Sequence, residues 1–305
     1  MALSGEALPT VRRLAAFGLV SADAETLADF YERAFGCRSL GDRRLSGPAF
    51  EALTAAPGGA RCVDLALGGE RIEIMRFDNP GRPYPMVATS SDLVFQHFAI
   101  VVADMTEAYG RLCAVPGWTT ISTRGPERLP KGAGGVSAFK FRDPEGHPLE
   151  LLAFPPGRAP PRWQPGPADG VFLGVDHSAL SVSDTALSVA FYGSLGLGVG
   201  ARSLNQGPEQ ERLDAVPGAL VEVTALTPPE DTPHIELLAY RNVAHPAQTP
   251  CRSNDIAATW LTFEPAEALD DALTVIDPDG HHLTIGSPVG SRDLTPPRAA
   301  RRWSP

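Results

Sequence analysis

The chain has 305 residues and a formal charge of −10, with 43% apolar and 20% charged residues. That apolar share supports a buried core and excludes a disordered chain. The acidic balance excludes nucleic acid as the main partner, because a phosphate backbone calls for a basic face.

No apolar run approaches the roughly 20 residues a membrane helix needs, and residues 1–10 lack a basic-then-apolar signal pattern. The four cysteines, Cys37, Cys62, Cys113 and Cys251, are scattered, with no Cys-x-x-Cys pair. They form neither a disulfide framework nor a zinc ribbon, which points to a reducing, cytoplasmic compartment. Two lysines, Lys131 and Lys140, stand against abundant Arg, Ala, Gly and Pro, a composition that suggests a GC-rich bacterial source.

Taken in chain order, one pattern recurs four times. Residues 14–77 run from an alternating apolar strand through a Ser21-Ala22-Asp23 turn into a helix carrying Leu27, Phe30, Tyr31, Ala34 and Phe35. They end in the strand 71–75, which holds Glu73. A Pro- and Ser-rich break at 79–91 follows. The second unit has a strand at 95–102 with His97, a helix at 105–114, the turn Asp143-Pro144-Glu145-Gly146-His147 and a strand at 148–152 with Glu150. Residues 155–170, dense in Pro and Gly, predict a stiff, extended connector.

The third unit repeats the strand at 175–182 with His177, the Ser183-Asp184 turn, and a helix at 185–195 with Phe191, Tyr192 and Leu195, followed by Gly196. Its last strand, 234–238, holds Glu236. The fourth unit, 256–287, repeats the turn as Asp277-Pro278-Asp279-Gly280-His281 and ends in 282–285. Between its first strand and that turn only 264–276 remain, which predicts a crossover helix cut to a stub near 266–273. The polar tail after Ser291 is expected to dock on the surface or fray.

The expected fold is α+β: four β-α-β-β-β modules, the fourth truncated, forming two cupped mixed sheets. The expected division is a first half at 11–155, a linker at 156–170 and a second half at 171–290.

A lone histidine in a core strand is ordinarily a hydrogen-bonded core residue, and a lone glutamate in an apolar strand is costly to bury without compensation. Here both recur at matching positions of consecutive units: His97 with Glu150, and His177 with Glu236. That recurrence points to a metal site built from a rigid frame. His147 and His281 are expected to hydrogen-bond their turns. His234 and His282 are expected to sit at strand starts or away from the site, and His245 in a Pro-rich loop.

The run His177, Leu180, Val182, Asp184, Phe191, Tyr192, Leu195, Gly196, with Asp143 to Glu150, resembles the vicinal oxygen chelate superfamily. That group includes glyoxalase I, methylmalonyl-CoA epimerase, extradiol dioxygenases, sugar epimerases and antibiotic-binding proteins. The resemblance covers about residues 12–289 and is specific for fold rather than reaction. It implies that two modules close a cup around one metal, each giving a ligand from its first and last strands. Carried over residue by residue, the first module offers Ala16 and Glu73. The second offers His97 and Glu150, the third His177 and Glu236, and the fourth Ala257 or a neighbour with Thr284.

Pairing in chain order would place Glu73 with His97 and Glu150. Pairing the second module with the third, and the first with the fourth, gathers His97, Glu150, His177 and Glu236 in one cup and leaves the other without a metal set. The second arrangement is preferred, and residues 155–170 can span roughly 40 Å to permit it.

Two His and two Glu suit one divalent ion such as Zn, Ni, Mn or Fe(II). The expected activity is an isomerase, epimerase or lyase that moves a proton on a small, vicinally oxygenated substrate, with Glu150 and Glu236 as catalytic candidates. Which of the two is the base is left open. The alternatives are a ring-cleaving extradiol-type dioxygenase and a metal-free small-molecule or antibiotic binder. Asn205, Gln206 and Arg212 are candidate substrate contacts, with Arg76, Tyr84, Arg124 and Lys140 as weaker anion contacts. The expected partner is a small molecule, without nucleic acid or membrane, and the expected state is a monomer or homodimer.

Overall fold

The computed structural model of the chain describes residues 8–164, 166, 170–230, 233–243 and 250–286. The first module comprises β1 (Val11–Val20), α1 (Ala24–Phe35), β2 (Arg38–Leu45), α2 (Pro48–Thr54), β3 (Ala60–Leu67) and β4 (Glu70–Phe77). The second has β5 (Gln96–Val102), α3 (Met105–Cys113), β6 (Thr119–Thr120), β7 (Glu127–Arg128), β8 (Ser137–Arg142) and β9 (Pro148–Ala153). The third has β10 (Phe172–Ser181), α4 (Thr185–Ser194), β11 (Gly198–Gln206), α5 (Pro208–Asp214), β12 (Leu220–Thr227) and β13 (His234–Tyr240). The fourth is reduced to β14 (Trp260–Pro265), β15 (Leu273–Ile276) and β16 (His282–Ile285).

Aspartates start the three long helices. Asp23, Asp104 and Asp184 each accept a first-turn backbone N–H that has no partner inside its helix. Gly36 ends α1 at φ 69°, a left-handed conformation that costs glycine little.

Two expectations are corrected. No helix forms at 266–273; bends join β14 directly to β15, because so short a connection cannot cross the sheet and return through several helical turns. The connector is not simply extended either. It closes a 3-10 turn at Pro161–Trp163 and buries Trp163, whose large ring gains more from packing than from solvent. The tail after Ser291 and His245 lie outside the described residues.

The strands form two mixed sheets. One has nine strands, with β11-β12-β13-β10-β5-β9-β8-β6 in order and β7 paired to β8. The other has seven, in the order β15-β16-β14-β1-β4-β3-β2. Antiparallel pairs β5–β10 and β1–β14 join the modules at the two centres. The second module therefore pairs with the third and the first with the fourth, so each half of the chain gives one module to each sheet.

The sheets share one apolar core. Phe17 of β1 lies 5.3 Å from Phe98 of β5, and Phe35 of α1 packs on Phe141 and Phe172. The sequence motifs clasp the sheets together. Tyr31 Oη donates to Asp143 Oδ2 at 3.1 Å, and Tyr192 Oη donates to Asp277 Oδ2 at 3.1 Å. Glu145 accepts from Ser21 and from the Ala22 and Asp23 backbone, while Asp279 accepts from Ser183.

His147 completes one clasp. Its Nδ1 faces Asp143 Oδ2 at 2.8 Å and its Nε2 faces the Val20 carbonyl at 3.0 Å. Both neighbours are acceptors, so the ring can donate twice only as a cation. Burial opposes the charge, but Asp143 and Glu145 outweigh it and raise the imidazole above its ordinary value.

Candidate metal centre

Strand periodicity puts alternate side chains of the nine-stranded sheet into a cavity of about 350 Å³. The antiparallel β5–β10 pair sets His97 opposite Ala179 and His177 opposite Ala99. The parallel flanking strands then set Glu150 beside Ala99 and Glu236 beside Ala179. One register rule thus carries all four predicted residues to the same face, with the two imidazole centroids 5.9 Å apart.

His97, Glu150 and His177 converge most closely, each offering an atom within 4.8 Å of the others. His97 Nε2 lies 2.9 Å from Glu150 Oε2. That contact lacks hydrogen-bond alignment, so both ring nitrogens of His97 are buried without a hydrogen-bond partner among the described residues. Leaving buried polar atoms unsatisfied is costly. A divalent cation bound by one nitrogen would remove part of that cost, and two imidazoles with a carboxylate are a donor set that borderline metals accept. The residues therefore fit a metal.

Glu236 stands apart from that trio. Its Oε2 is 3.6 Å from His177 Nε2, its Oε1 is 3.6 Å from His234 Nε2, and its side chain keeps 26% of its exposure against 9% for Glu150. Burial raises the Glu236 carboxyl, but His177 and His234 outweigh that and hold it at about 2. Burial lowers His97, helped by the Lys140 ammonium. For His177 burial acts the same way, but Glu236 and Asp176 overcome it and lift the ring to about 9.

Sequence reasoning underrated three neighbours. Lys140 is cross-strand to Glu150, with Nζ 3.9 Å from Glu150 Oε2 and 2.7 Å from Asp214 Oδ1. His234 opens β13, one of the two places expected for it, and lies against Glu236. Asp176 accepts from His177 Nδ1 at 3.0 Å. The register advances two residues on β10, from Val175 to His177, against one on β5, so Asp176 is the extra residue of a bulge, which re-aims its side chain. The adjacent Asp-His pair was the available signal.

Of the candidate substrate contacts, Asn205 lines the cavity, as do Arg202 and Ser203. Gln206 is exposed and outside the lining, and Arg212 is drawn off by a two-pronged pair with Glu127 at 2.6 and 2.8 Å. Tyr84 is buried under Arg142. A larger hollow of about 560 Å³, near Arg82, Val94 and Ala257, has no histidine in its lining.

The seven-stranded sheet presents the corresponding positions without the chemistry. Glu73 sits in an ion network with Arg43 at 2.8 Å, Arg71 at 3.0 Å and the buried Asp64. The register assigns the first-strand position of the fourth module to Trp260 rather than to Ala257, which precedes β14.

The family model described as the Glyoxalase/Bleomycin resistance protein/Dioxygenase superfamily matches residues 13–151. In fold the chain is similar to glyoxalase I from Zea mays, at 15% identity and a TM-score of 0.56 over 90% of this chain and 92% of that one. It is also similar to a putative dioxygenase from Bacillus subtilis subsp. subtilis str. 168, at 14% identity and a TM-score of 0.53 over 91% and 86% of the two chains. No curated protein matches it in sequence. No helix among the described residues is long and apolar enough to cross a membrane.

Proposed function

We propose that the nine-stranded cup holds one divalent metal ion and moves a proton on a small substrate with two neighbouring oxygens, a reading supported by the match of residues 13–151 to the Glyoxalase/Bleomycin resistance protein/Dioxygenase superfamily model. The observation that carries this reading is the convergence of His97, Glu150 and His177 from two modules, with the His97 nitrogens otherwise unsatisfied. Those three residues would hold the ion, with Glu236 at its edge. The ion, such as Zn, Ni, Mn or Fe(II), would supply Lewis acidity to the substrate oxygens.

The two glutamates then take different roles. Glu150 is pinned between His97 and the Lys140 ammonium, which suits a permanent ligand. Glu236 is ionised and more exposed, and its cross-strand neighbour is the small Ala225. It has room to reach a carbon-bound proton and return it, as an isomerase, epimerase or lyase requires.

Elemental analysis of the purified chain, with His97→Ala and His177→Ala variants, tests the site. One metal equivalent is expected in the parent and none in either variant; a variant that keeps its metal removes its histidine from the ligand set. A ring-cleaving dioxygenase is the second reading, favoured by the separation of Glu236, which leaves a two-His, one-carboxylate trio. Oxygen uptake with catechols distinguishes the two.

A further inference from the structure

Trp163 lies in the connector between the sequence halves, yet it is buried, and its indole Nε1 donates to Asp176 Oδ1 at 2.5 Å. The other oxygen of Asp176 accepts from His177 Nδ1 at 3.0 Å. Nε2 of the same ring points toward Glu236. Both oxygens of Asp176 are thus engaged, which makes it a poor metal ligand despite lying beside His177 and His234. The other histidine has no such support: His97 Nδ1 has no hydrogen-bond partner, and the preceding Gln96 donates to Ser178 instead.

Trp163 is also fixed from its far side. Arg162 stacks on its ring at 4.5 Å and pairs with Glu70 of β4 at 2.7 Å. Glu70 Oε2 in turn accepts from the Val175 backbone at 3.1 Å. The ring packs so tightly over Gly174 that an added Cβ would lie 3.0 Å from it.

We infer that Trp163 is a positioning residue for the metal: its indole N–H orients Asp176, which keeps the proton on His177 Nδ1 and leaves Nε2 to the ion. This rests on the metal reading above. A carboxylate behind a ligating imidazole sets both tautomer and ring angle, and removing such support weakens metal binding about 10- to 100-fold. In this chain the carboxylate stands on β10, but the group that holds it comes from the connector, so the segment joining the halves is part of the site.

Trp163→Phe tests it, because the variant keeps an aromatic ring in the pocket but loses the indole N–H together with the five-membered ring that carries it. Co(II) is the probe, with affinity and visible ligand-field spectrum measured on the full chain, and thermal unfolding as the control for folding. Asp176→Asn is the second variant. Both are expected to bind Co(II) about 10- to 100-fold more weakly with a shifted spectrum, while still unfolding cooperatively. Parent-like affinity and spectrum in Trp163→Phe overturn the inference and leave the metal site standing. If the parent itself binds no Co(II) and holds no metal, the metal reading fails and the inference falls with it.

Discussion

The two sheets are built from the same units in the same register, yet only one gathers imidazoles and carboxylates. By strand pairing, His97 corresponds to Trp260 and Glu150 to Thr284, while His177 corresponds to Ala16 and Glu236 to Glu73. The cross-strand partners differ in the same way: Lys140 stands beside Glu150 where Thr274 stands beside Thr284, and Ala225 beside Glu236 where Asp64 stands beside Glu73. In the seven-stranded sheet Trp260 fills the space with Phe50, Phe77 and Met75. The surviving Glu73 is neutralised by two arginines. One scaffold therefore carries either a cluster of polar donors or a packed apolar core, depending on which side chains fill its inward positions.

That contrast breaks most sharply at the His97 and Trp260 pair. His97→Ala should abolish metal content at modest cost in stability, while Trp260→Ala should leave metal content intact and cost about 3–5 kcal/mol through the cavity it opens. Urea unfolding and elemental analysis on both variants read this directly. Metal loss in Trp260→Ala would show that the two cups are not independent.

Next is the buried charge at Lys140. Lys140→Met leaves Asp214, among the described residues, with the Gln210 amide and the Tyr240 hydroxyl as side-chain partners, and should cost about 3–5 kcal/mol. Adding Asp214→Asn should recover most of that in the same unfolding experiment. Glu73→Gln should cost less, because Asp64 still pairs both arginines.

A smaller effect is expected at Gly18, whose counterpart in the other sheet is Ala179. A Cβ at Gly18 would lie 2.9 Å from Trp260 Cβ and 3.3 Å from Met75 Cε. Gly18→Ala should therefore destabilise by about 1–3 kcal/mol through overpacking, measured by thermal unfolding. A neutral result would mean that β1 and β14 slide apart easily.

The smallest is the pH response of the clasp at His147. Its folded pKa is raised, so its stabilisation is complete below the unfolded value of about 6.5 and is lost as pH rises through the folded value. The urea midpoint should fall as pH rises above about 6.5, and His147→Gln should remove that component. An unchanged slope in the variant would assign the pH response to other groups.

The sequence by itself determined the modules, because each is written in local terms. Strand alternation, the capping aspartates at Asp23 and Asp184 and the Asp-Pro-x-Gly-His turns act over a few residues and can be read in order. It also singled out His97, Glu150, His177 and Glu236, since buried polar residues repeating in apolar strands stand out without a structure.

Only the tertiary structure decided how the modules pair and what surrounds the four residues. Pairing the second module with the third depends on contacts between distant segments, such as Tyr31 with Asp143 and Tyr192 with Asp277, in which a repeated motif proves to be one half of a clasp. Lys140 became a neighbour of Glu150 through strand register, and Asp176 reached His177 through a bulge that alternation does not foresee. Trp163 reached Asp176 only because the connector folds inward. The absence of a helix at 266–273 was decided the same way, since β14 and β16 pair directly in parallel and leave too little chain for a crossover helix.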